Sequence, residues 1–78
     1  MDKLHKIQFI SFQTDKMIVE IDNQKYLIDL KNVSRRLLNA TDAERSNFEI
    51  THSNYGIHWP LIDEDLSIHN LIKSSELV

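Results

Sequence analysis

Three histidines, His52, His58 and His69, and two acids, Asp63 and Asp65, are the side chains of this 78-residue chain whose types could do chemistry. Neutral imidazole is a common transition-metal ligand and an Asp oxygen can complete a set, so together they could serve a metal-dependent or carboxylate-using hydrolase. Their spacing matches no metal motif. Paired carboxylates could instead divide acid and base work if their surroundings held their pKa values apart. Asp63 and Asp65, however, precede an expected helix start, where capping and the helix dipole already account for acidic residues. The serines lie outside any nucleophile-elbow context, and a single Gly leaves no glycine-rich phosphate loop. With no Cys, disulfides, thiolate catalysis and thiolate zinc sites are excluded. The expectation is therefore a chain that is not an enzyme, with no cofactor and no metal.

The elements that would position these residues follow from periodicity. Lys6 to Phe12, Lys16 to Asp22 and Lys25 to Leu30 alternate as strands. Gln13-Thr14-Asp15 forms the first turn, and Asn23-Gln24 the second, since Asn tolerates positive φ. From Asn32 the period lengthens: Val33, Leu37 and Leu38 predict a short helix capped by Asn32 or Ser34. Arg35 and Arg36 turn toward water on it. Thr41-Asp42-Ala43-Glu44 matches a capping box and starts another helical turn. Phe48 to His52 predicts a fourth strand, paired through Asn54-Tyr55-Gly56 with Ile57 to Trp59, Gly56 supplying a positive φ. Pro60, lacking an amide hydrogen, ends that strand. A last helix follows with Ser67 as N-cap, Asp63 as the alternative, and Leu66 and Leu71 as a hydrophobic staple.

The expected fold is thus α+β, a single domain over residues 1–78. A small antiparallel sheet, made of a three-strand meander and a second hairpin, carries two or three short helices on one face. The covered face holds Met17, Val19, Ile21, Tyr26, Ile28, Leu30, Phe48, Ile50, Ile57 and Trp59. The opposite face shows Ile10, Phe12, Ile18 and Leu27 among polar residues, with the placement of Ile10 and Phe12 depending on the register of the first strand. So few helices cannot cover both faces, and an uncovered apolar patch there marks a candidate interface.

The run Gly56-Ile57-His58-Trp59-Pro60, followed by Asp63-Glu64-Asp65-Leu66-Ser67-Ile68 and Leu71-Ile72, resembles the C-terminal signature of domain-of-unknown-function family 2442. It is also similar to a related N-terminal module that precedes helix-turn-helix domains in some bacterial regulators. Where the family carries glycines in its early turns and last helix, this chain has Asn23-Gln24 and Asn70. The resemblance implies structural roles for Gly56, Ile57, Trp59, Pro60, Asp63, Asp65 and Leu71, and supplies no catalytic residues. It also implies a small interaction protein, a component of a regulatory or toxin–antitoxin-like pair.

Composition agrees with a partner-dependent domain. A chain this short buries only roughly 60–65% of its unfolded surface, so its own stability is modest. Its net charge of −3 argues against direct nucleic-acid binding, which needs clustered Lys and Arg. No apolar run approaches a membrane span, and Met1 to Lys6 lacks the apolar core of a signal peptide. The expectation is a cytoplasmic protein that binds a protein partner or its own copy, with no membrane.

Overall fold

Alternation and turn chemistry build the first half of the chain. The computed structural model describes residues 6–51 and 55–77. Strands β1 (Ile7–Gln13), β2 (Lys16–Ile21) and β3 (Gln24–Asp29) form the antiparallel meander that the alternation predicts. The second turn is displaced by one residue from Asn23-Gln24. Asp22 and Asn23, with φ of 53° and 68°, form the two-residue loop, while Gln24 already pairs with Ile21. Two consecutive positive φ angles match the hairpin turn whose twist suits the flanking strands. Gln8 ties the loop down: its Oε1 accepts from the Asn23 backbone N–H at 2.6 Å and its Nε2 donates to Asn23 Oδ1 at 2.9 Å.

The helices are single turns defined by their caps. Helix α1 (Leu30–Val33) is capped by Asp29, whose side chain accepts from Lys31 N, so the cap is not Asn32. Helix α2 (Arg35–Leu38) is capped by Ser34 through the Leu37 N–H at 3.1 Å. The predicted capping box opens α3 (Asp42–Ser46), with Glu44 N donating to Thr41 Oγ1 at 3.1 Å and Thr41 N to Glu44 Oε1 at 2.8 Å. Its reciprocal geometry is local, which is why sequence shows it.

Two further strands, β4 (Glu49–Ile50) and β5 (Gly56–Trp59), make the second hairpin, although β4 is shorter than the expected Phe48 to His52. His52 and Asn54 lie outside the described residues. The acidic run does not lead straight into a helix. After a turn in which Asp63 takes a φ of 52°, Glu64–Ser67 forms β6, paired with β5 from Trp59↔Glu64 to Gly56↔Ser67. Ser67 then caps α4 (Ile68–Lys73), accepting from Asn70 N at 3.2 Å, and β7 (Glu76–Leu77) returns to pair with β3.

The result is α+β with two antiparallel sheets, β1-β2-β3-β7 and β4-β5-β6, rather than one continuous sheet. The core lies between the meander, the second sheet and the short helices. Met17, Val19, Ile21, Ile28, Leu30, Leu37, Ile57, Trp59, Ile68 and Leu71 are all essentially inaccessible. Tyr26 and Phe48 pack at its margin, whereas Ile50, expected inside, is exposed. Four short helices are present among the described residues, and none is long and apolar enough to cross a membrane.

Candidate functional site

Of the described residues that could do chemistry, only His58 and Asp65 meet. His58 and Asp65 are cross-strand partners on β5 and β6, and His58 Nδ1 lies 2.7 Å from Asp65 Oδ1 at the surface. His69 is exposed on α4, Asp63 sits in the turn before β6, and His52 lies outside the described residues. Among the described residues no three His, Asp or Glu side chains gather into a set that could hold a metal. The pair that does form is accounted for by cross-strand attraction between facing polar groups.

The signature residues instead assemble the core. Trp59 is fully buried; its Nε1–H donates to the Arg45 carbonyl oxygen at 3.0 Å. Phe12 meets its ring edge-on, with centroids 6.4 Å apart, and Phe48 tilts against it at 6.3 Å. Edge-to-face rings at this separation add to the burial itself. Arg45 is the residue that sequence reasoning missed. Only 7% exposed, it donates from Nε to Leu37 O at 3.0 Å and from Nη2 to Leu38 O at 3.1 Å, and its guanidinium lies 5.2 Å from the Phe12 ring centroid. Its aliphatic and planar parts pack while its donors satisfy the last carbonyls of α2. Nothing local in Thr41 to Ser46 signals that burial.

Gly56 is needed for a reason other than the one expected. Its φ is not positive; instead a Cβ at this position would stand 2.6 Å from the Leu66 carbonyl oxygen on the paired strand. Only a residue without a side chain allows β5 and β6 that approach. Pro60, exposed, directly follows β5, and Leu71 is on the buried face of α4. Of the acidic run, Glu64 is the structural member. Its Oε2 accepts from Ser34 Oγ at 2.6 Å, joining the cap of α2 to β6, while Arg36 donates to the Asp63 carbonyl. Asp63 is thus tied to α2 through its backbone, whereas the Asp65 side chain meets His58 on β5.

The four candidate interface residues separate. Ile10 pairs with Val19 and Phe12 with Met17, so both share the core face, half-buried; Ile18 and Leu27 face each other on the opposite side. The register of β1 explains the difference: a bulge between Ile7 and Phe9 inserts an extra residue, letting Ile7 and Ile10 both turn inward. Phe9, paired with Glu20, is thereby moved to the outer face and left 51% exposed.

Among the described residues, no strand pairs with the outer edge of β1. β1 is the terminal strand of its sheet, and no charged residue lies within Ile7–Gln13. Gln13 and Lys16 close a two-residue loop, so the alternation of an antiparallel ladder turns the backbone groups of Ile10 and Phe12 outward, away from β2. Two open hollows run along this edge. One of about 290 Å³ is apolar, between Ile7 to Ile10 and Phe48 and Ile50. The other, of about 360 Å³, continues past Ser11 and Phe12 to Asp42, Arg45 and Ser46. Phe48 borders both.

A family model described as "Protein of unknown function (DUF2442)" matches residues 8–76, nearly the whole chain. No match is found among the curated proteins or among the solved structures. The chain belongs to the DUF2442 family.

Proposed function

We propose that this DUF2442 chain is a non-catalytic protein–protein interaction module, working in the cytoplasm, that takes up an added strand along the free edge of β1. The observation that carries the reading is the outward-facing backbone of Ile10 and Phe12 beside an apolar hollow bordered by Phe48. An extended segment laid there gains main-chain hydrogen bonds from the edge and side-chain specificity from the hollow, which is how strand addition works. β1 has neither charge nor proline to blunt its edge, the bulge between Ile7 and Phe9 being its one irregularity, so the stretch from Ile10 to Gln13 stays regular and able to pair.

Among the described residues no three His, Asp or Glu side chains gather, and the net charge of −3 disfavours nucleic acid as the partner. The resemblance to modules encoded beside a second small protein supports a regulatory or toxin–antitoxin-like pair as the setting. Co-expression with the product of the adjacent gene, followed by light scattering after size exclusion, is expected to yield a stable assembly heavier than the 9.2 kDa chain. A chain that keeps its monomer mass alone and with each neighbour tested overturns the reading.

A further inference from the structure

We infer that the occupant of the β1 edge is β1 of a second copy of this chain, the two strands running antiparallel about a two-fold axis at Ile10. The inference rests on the strand-addition reading and names its partner.

Three observations meet in this arrangement. With Ile10 opposite itself, Phe9 faces Ser11 on either side of the axis, so outward residues oppose outward ones there, while Phe12 faces Gln8, the exposed residue at the bulge. The outward backbone groups of Ile10 then bond to those of its own counterpart, as in a hydrogen-bonded antiparallel pair. The second observation is the outer face. Ser11, Ile18 and Leu27 form one cross-strand row. Phe9 of the second copy, half-exposed in the single chain, comes to lie over small Ser11 at the end of that row, and joins it to an apolar strip. The third is charge. β1 carries none, so identical strands meet without repulsion. Because the axis uses each β1 once, assembly closes at two copies.

The test is the mass of the purified chain by light scattering across a concentration series, for wild type and for three variants. Wild type is expected at twice the 9.2 kDa chain mass at high concentration. Phe9→Lys places two like charges beside the axis, and its side chain is 51% exposed, so the fold should persist while the dimer dissociates at least tenfold more readily. Ile10→Pro removes an outward amide hydrogen without touching the β2 ladder and should also dissociate. Tyr55→Lys, at an exposed position just before β5, should remain dimeric. A dimer that survives both Phe9→Lys and Ile10→Pro overturns the inference. So does a wild-type monomer that binds a neighbouring protein and loses it on Phe9→Lys, an outcome that leaves the strand-addition reading standing. A monomer that binds no neighbour removes both.

Discussion

Replacing Trp59 with alanine is expected to lower the unfolding free energy by about 3–5 kcal/mol, the usual cost of removing a buried aromatic side chain. Every contact argues for the full effect. The ring is inaccessible, Phe12 and Phe48 pack on it from β1 and the start of β4, and its N–H satisfies the Arg45 carbonyl at the end of α3. The substitution opens a cavity where both sheets and a helix meet. It also orphans a buried carbonyl, which adds its own desolvation cost. Small domains are stable by only about 5–15 kcal/mol, and this one belongs toward the lower end. Urea denaturation followed by circular dichroism should therefore find the variant largely unfolded or with a sharply lower midpoint. A near-native midpoint would contradict the assignment of Trp59 as the core anchor and point to a functional role instead.

Arg45→Met should cost about 3 kcal/mol, because two bonds from a charged donor to buried carbonyls are lost and each such bond contributes about 1.5–3 kcal/mol. Methionine fills much of the same volume, so the effect isolates the donors rather than a cavity. Leu37 and Leu38 are the last residues of α2; the Leu37 carbonyl also accepts from Ala40 N–H at 3.2 Å, so the Leu38 carbonyl is the one that depends more on Arg45. The same urea experiment reads the loss. Lys at this position is not expected to rescue it, since one ammonium cannot reproduce the planar fork that serves both oxygens. A Met variant as stable as wild type would mean that water satisfies those carbonyls and that the guanidinium is dispensable.

What could be read from sequence was whatever depended on neighbours in the chain. The Thr41–Glu44 capping box and the Ser34 and Ser67 caps are decided within three residues, and each forms as expected. The alternation of β2 and β3 likewise announced Met17, Val19, Ile21 and Ile28 as core. Long-range geometry was hidden. Glu64 and Asp65 do not read as strand residues, and β6 exists because β5 supplies its ladder. The bulge after Ile7 reversed the faces of the following residues, since a one-residue slip exchanges the two sides of a strand. Gly56 was recognised as special, but the crowding by Leu66 comes from a strand ten residues away. At the candidate site, the sequence leaves the faces of Ile10 and Phe12 to the register of β1, which turns both half-buried toward the core and leaves Phe9 as the exposed apolar side chain of that strand.

Amide hydrogen exchange along β1 tests the edge most directly. Ser11 and Gln13 donate into the β2 ladder, so their amides should be protected in every state, whereas those of Ile10 and Phe12 point away from β2 and exchange freely in the isolated chain. In the assembled protein, at high concentration or with its bound partner, the account predicts slowed exchange at Ile10 and Phe12 with Ser11 and Gln13 unchanged. Assembly that leaves the Ile10 and Phe12 amides as fast as in dilute monomer would contradict it, and would place the binding surface elsewhere on the protein.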